Sequence, residues 1–271
     1  MKNRIFIKYF MKSIFAILIV LIVLPSCQKV INIDLNSASP QIVIEGNVTD
    51  QPGPYIVKLS KTVNYSETNV FPPITGASVT ISDNTGNAET LTESTPGTYT
   101  TSTLQGMPGR TYTLTVTSDG KTYTATSTMP YPVNIDTLIN RQGGFGGGRP
   151  SWSAKFIDPS GIANYYALFM EINNVMQSDF STADDNLRDG DSISMRLPIP
   201  DNVNIQPGDS IKVILESIDK NIREYFRLLH QLNNQGGIQS APPANPATNL
   251  TGNALGYFSA HSDRKKILVI P

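Results

Sequence analysis

Cysteine is almost missing from this sequence: Cys27 stands alone among 271 residues. That excludes intramolecular disulfides and thiolate metal centres in whatever follows it. Histidine is nearly as scarce, with only His230 and His261 to act as a catalytic base, and both read as surface residues. Neither lies in Gly-x-Ser-x-Gly, Ser-x-x-Lys or His-Glu-x-x-His, so the common hydrolase arrangements are not signalled. A glycosidase would need two carboxylates facing each other across a cleft, a spacing that sequence alone does not fix. Charge is sparse at 16% of residues, with a formal net charge of −1, a balance poorly suited to nucleic-acid binding. Long apolar runs are confined to eleven residues, Ile14 to Leu24, too few to span a bilayer as a helix.

That run has a recognisable setting. Lys2, Arg4, Lys8 and Lys12 precede it without an acidic residue, and Leu24-Pro25-Ser26-Cys27 closes it. A basic segment, a short apolar segment and small residues at the end make an export signal. The closing residues resemble a bacterial lipobox, which implies acylation of Cys27 as the first residue of the mature chain. Loss of residues 1–26 leaves 17 basic residues against 22 acidic, a charge of about −5. Residues 27–40 then read as a polar tether.

From Gln41 the pattern is that of short strands. Gln41 to Thr49 and Tyr55 to Ser60 flank the turn Asp50-Gln51-Pro52-Gly53-Pro54 and form a hairpin. Gly76 to Asp83, Glu89 to Glu93, Gly97 to Thr101, Arg110 to Ser118 and Lys121 to Met129 continue the series. In Tyr112-Thr113-Leu114-Thr115-Val116 the apolar side chains recur at every second residue, so one face packs and the threonines face water. Asp119-Gly120 predicts a type I′ hairpin turn. Strands of this length at this spacing predict an immunoglobulin-like β-sandwich over residues 41–140.

Residues 141–150, Gly-rich around Phe145, read as a linker or loop; they lack the Gly-Lys-Ser/Thr ending of a phosphate cradle. A second β domain is expected over residues 151–271. Its strands are Trp152 to Ile157, the densely apolar Tyr165 to Ile172, Ser192 to Leu197, Ser210 to Ser217 and a final one from Lys265. One helix over about 219–233 carries Ile218, Ile222, Tyr225, Phe226, Leu229 and Leu232 on a single face, with Asp219 placed to cap it. The predicted fold class is therefore mainly β: an N-terminal immunoglobulin-like sandwich followed by a second β domain carrying one amphipathic α-helix.

Candidate functional positions are few. Phe145, Trp152 and Tyr257 are candidate partner contacts, and an exposed aromatic groove among them would favour a glycan-binding module or surface adhesin. Thr137, Ser192 and Ser210 each follow an aspartate in a pattern resembling exported O-glycosylation sites, and each also fits the entry to a strand. Asp184 to Asp191 looks like a calcium loop, but Arg188 stands where an EF-hand needs an oxygen ligand, and Gly190 is one place late. Calcium in another geometry stays open; no metal site, cofactor or catalytic residue is assigned.

Several segments together resemble one family. They are Gln41 to Gln51, Ile74 to Val79, Gly97-Thr98-Tyr99, Leu215 to Lys220 with Tyr225-Phe226, and Pro243 to Pro246 leading into Gly252 to Phe258. With the lipobox, they are similar to the Bacteroidota lipoproteins known as domain of unknown function 4249. The resemblance implies an outer-membrane lipoprotein of a kind often encoded beside a TonB-dependent receptor, with no defined catalytic residues. The expectation is a non-enzymatic, lipid-anchored outer-membrane protein that serves as an accessory or ligand-binding component of a TonB-dependent transport system.

Overall fold

The computed structural model describes residues 39–270, apart from 65, 66, 69, 142–150, 187, 201 and 235–244. Cys27 and Phe145 lie outside the described residues. The fold is mainly β, with sixteen strands and one helix among the described residues.

Two sheets form the first sandwich. One contains β1 (Ile42–Thr49), β2 (Ile56–Lys61), β6 (Thr98–Thr100) and β5 (Thr92–Thr95); the other contains β4 (Ala88–Thr90), β3 (Ser78–Asp83), β7 (Thr111–Ser118) and β8 (Lys121–Thr128). Alternation decides which side chains go in. On β7, Tyr112, Leu114 and Val116 are wholly buried, while the intervening threonines stay partly exposed. They meet Ile44, Val48, Val57 and Leu59 from the facing sheet, each side chain contributing about 1.5–3 kcal/mol on burial. Asp119 and Gly120 have φ of 51° and 72°, both left-handed as a type I′ turn requires.

The second half is also a sandwich. A three-stranded sheet, β14 (Ser192–Arg196), β10 (Ser151–Ile157) and β9 (Thr137–Arg141), packs on a sheet built from β12 (Val175–Met176), β11 (Tyr165–Ile172), β13 (Ser181–Asp184) and β15 (Ser210–Ile218). Strand β11 is apolar on both sides because both are covered. Tyr166, Leu168, Met170 and Ile172 enter the sandwich core, whereas Ala167 and Phe169 face the helix.

That helix is α1 (Lys220–Asn234). Asp219 caps it, its Oδ1 accepting the N–H groups of Asn221 at 2.8 Å and Ile222 at 3.0 Å. Its apolar stripe, with Ile222 and Phe226 buried, lies against Ala167, Phe169, Phe180 and Tyr257. Phe226 has ring centroids at 5.3–5.7 Å on three sides, edge-on to Phe169 and Tyr257 and tilted against Phe180. Arg223 pairs with Asp184 and ties the helix to β13.

One strand belongs to both sandwiches. β16 (Leu255–Val269) starts ten residues before the expected Lys265 and runs parallel to β1 from Leu255 to His261. It then runs antiparallel to β15 from Ser262 to Val269. A nine-stranded sheet results, in the order β12-β11-β15-β16-β1-β2-β6-β5 with β13 beside β11. The core of the first sandwich takes in Leu250, Ala254, Phe258 and Ala260, so residues 41–140 do not complete that sandwich by themselves. Gly256 permits the close pairing: its φ is +93°, and a Cβ there would lie 2.1 Å from the Ile44 carbonyl oxygen. On the far side of β16, the Asn249 side chain acts as a surrogate strand. It donates to the Phe258 carbonyl at 2.7 Å and accepts the Phe258 N–H at 3.1 Å.

Candidate functional site

A cleft of about 450 Å³ opens at the end of the second sandwich that lies away from the β1–β16 pairing. The sequence makes it by stopping β14 abruptly. Pro198, Pro200 and Pro207 have no N–H to continue the ladder, so residues 197–200 and 202–209 arch over the end of the core. Two short turns hold the arch, Ile199 N–H to Leu197 O at 2.9 Å and Val203 N–H to Pro200 O at 3.0 Å. Leu197, Ile199, Val203 and Ile205 line the cleft from this arch, and Trp152 and Phe180 line it from the core. Its charged and titratable groups are Arg196 at the end of β14, Asp179 before β13 and His230 on α1, whose ring lies edge-on to Phe180 at 5.9 Å.

A second hollow, of about 540 Å³, flanks the turns of the first sandwich. Its acids are committed to the fold. Glu89 accepts the Ser102 hydroxyl at 2.7 Å and the N–H groups of Thr103 and Leu104 at 3.1 and 2.6 Å. Burial alone would raise its pKa, but these bonds and that of the Ser102 N–H hold it down to about 2. Asp83 binds the turn at Thr85 and Asn87 and pairs with Arg110 at 2.7 Å.

Three carboxylates converge elsewhere. Asp158, Asp185 and Asp189 each offer an oxygen within 4.8 Å of the others, the first two buried and the third exposed. The calcium-like loop thus finds a buried partner, Asp158, beyond its own sequence. An all-oxygen donor set suits calcium or magnesium better than zinc, although calcium takes about six to eight oxygens. The same groups already join two turns. Asp158 accepts the Tyr166 hydroxyl at 2.5 Å and the Gly190 N–H at 3.2 Å. Asp185 accepts the Asn164 N–H at 2.9 Å, and Asp189 the Gly161 N–H at 2.7 Å.

His261 is not the surface residue expected from the sequence: only 5% of it is exposed. Its Nδ1 lies 2.9 Å from the Ser259 hydroxyl, and its Nε2 lies 3.5 Å from Glu216. The order hydroxyl, imidazole, carboxylate is that of a hydrolase triad, but Ser259 is 1% exposed and none of the three lines either hollow. Burial raises the pKa of the Glu216 carboxyl; nearby His261 opposes the shift, Asp263 adds to it and Lys265 opposes it. The group sits where β16 changes partner from β1 to β15. Ser259 and His261 share a strand face at a spacing of two, which the sequence could have suggested; Glu216 carries no such signal.

The remaining candidates are dispersed. Trp152 is 8% exposed and belongs to the second core, while Tyr257 packs beneath α1 in a separate cluster. Burial raises the pKa of Tyr257, and that of neighbouring Tyr225 is pushed up to about 12. Thr137, Ser192 and Ser210 are the first residues of β9, β14 and β15; the first two are exposed and the third half-buried.

Residues 28–267 match the family described as "Domain of unknown function (DUF4249)". The chain belongs to the DUF4249 family. The match spans both sandwiches, α1 and nearly all of β16, so the shared strand is part of the family domain. A comparison with curated proteins gives no match to this DUF4249 chain. Among solved structures it is similar to a two-fibronectin-type-III-domain segment from chicken tenascin, at 10% identity over 85% of this chain and 99% of that one, with a TM-score of 0.22. A cytokine receptor complex is similar at 9% identity, over 84% and 95% of the two chains, with a TM-score of 0.25. No helix among the described residues of the DUF4249 chain is long and apolar enough to cross a membrane.

Proposed function

We infer that this DUF4249 protein is a non-enzymatic binding component of the Bacteroidota outer membrane, held there by lipid on Cys27 and acting as an accessory to a TonB-dependent transporter. The observation that carries this reading is the N-terminal stretch: four basic residues, eleven apolar residues and then the only cysteine. The family match begins at residue 28, next to Cys27, which agrees with a mature chain starting there. Several tens of acyl methylenes at about 0.8 kcal/mol each would hold such a protein firmly without a spanning helix.

The non-enzymatic part of the reading rests on the burial of the Ser259–His261 pair, at 1% and 5% exposed, which suits a structural role for this group better than a nucleophilic one. The ligand-binding part is supported by the cleft at the end of the second sandwich, since loops and arches there leave the scaffold undisturbed. A glycan-binding adhesin would need exposed aromatic faces, and the burial of Trp152 and the packing of half-buried Tyr257 beneath α1 weigh against it.

The test is co-purification. An affinity-tagged protein is recovered from detergent-solubilised outer membranes, and its companions are identified by mass spectrometry. The accessory role predicts a TonB-dependent β-barrel receptor at near-stoichiometric yield. Recovery of the protein without any such receptor would refute it.

A further inference from the structure

We propose that the cleft at the end of the second sandwich binds short peptides with free termini and apolar side chains; this deepens the ligand-binding reading given above and rests on it. Its volume of about 450 Å³ falls within the range of about 300–1,000 Å³ usual for small-molecule sites. The decisive feature is the pair of opposite charges on its lining. Arg196 is exposed, and its guanidinium makes no ion pair or hydrogen bond among the described residues. Asp179 is exposed as well and, among the described residues, accepts only the hydroxyl of neighbouring Ser178, at 3.2 Å. The two share the lining without pairing to each other. Each is therefore free to meet a complementary charge on a ligand.

A zwitterion satisfies both at once. Its carboxylate would take the planar, two-pronged donor set of Arg196, and its ammonium would take Asp179. Leu197, Ile199, Val203 and Ile205 supply apolar surface in the same cleft, and the exposed amides of Asn140 and Asn204 offer donors and acceptors suited to a peptide bond. Other ligand classes fit less well. A fatty acid would leave Asp179 beside an anion or unused, and a neutral sugar would find no open ring face on Trp152, which is 92% buried.

Calorimetric titration of the purified full chain in detergent tests this with three probes: leucyl-leucine, the same dipeptide acetylated and amidated at its ends, and octanoate. Leucyl-leucine should bind saturably. Blocking its ends should weaken binding about tenfold or more, the loss expected for a charge-assisted hydrogen bond. Arg196→Gln and Asp179→Asn should each weaken leucyl-leucine to a similar degree, while Lys155→Gln, exposed on β10 outside the cleft, should not. Absence of saturable binding, equal binding of blocked dipeptide or octanoate, or wild-type affinity in both cleft variants would overturn the proposal. Should a variant fold poorly, the three-probe comparison on the wild type still decides. Failure here leaves receptor co-purification intact, and the converse also holds, so the two readings fall separately.

Discussion

At Glu89 a single carboxylate holds the 102–104 segment through backbone and hydroxyl donors, with its pKa lowered to about 2 from an ordinary 4.5. A depressed carboxylate contributes stability above its unfolded value and loses that contribution as the pH falls through its folded value. The urea midpoint of wild type should therefore exceed that of Glu89→Gln at neutral pH, and the difference should shrink between about pH 4.5 and 2. A difference independent of pH would contradict the assignment. Gly256 gives a steric prediction. Gly256→Ala forces a Cβ to within 2.1 Å of the Ile44 carbonyl oxygen at φ +93°, so it should cost about 3 kcal/mol or more in denaturant unfolding. Such residues were only partly legible in the sequence. Glycine and glutamate announce neither a close approach nor a partner many residues away. His261 was misread because its burial depends on the change of partner at this point of β16, which brings Glu216 of β15 beside it.

Among the elements, α1 was the easiest to foresee, because its signal is local. The apolar stripe and Asp219 are all within one stretch, and the helix begins one residue after the cap. Phe226→Ala should cost about 3–5 kcal/mol by emptying the contact with Phe169, Phe180 and Tyr257. Asp219→Ala should cost about 1–2 kcal/mol for the lost cap, and it also removes the acceptor of the Ser127 hydroxyl on β8. Equilibrium urea unfolding checks both; a loss within about 0.5 kcal/mol for either would contradict these contacts. β16 was harder to read. Residues 258–263 are all buried, so the period-two pattern vanishes where the strand changes partner from β1 to β15, and alternation returns only from Arg264. The expected start at Lys265 marks the onset of that alternation. Nor does any local pattern tell Val43 that Leu255 will lie beside it.

For the whole molecule, the sequence showed a mainly β chain with a sandwich in its first half and a second β domain after it, but not that the second half is a sandwich too or that both halves share a strand. Sharing has consequences for function. Because β16 pairs with β1 and then with β15, the arch lining the cleft leaves β14 of the three-stranded sheet and ends on β15 of the continuous sheet that also contains β1. A ligand site on such an arch is a loop site held at both ends by sheets. The proposed place of the protein at the membrane depends on what Cys27 becomes. In cells fed a labelled palmitate analogue, the wild-type protein should carry the label and sediment with the outer membrane, and Cys27→Ala should do neither. Equal labelling and sedimentation of the two proteins would contradict the lipid anchor, and with it the proposed place of this protein at the membrane.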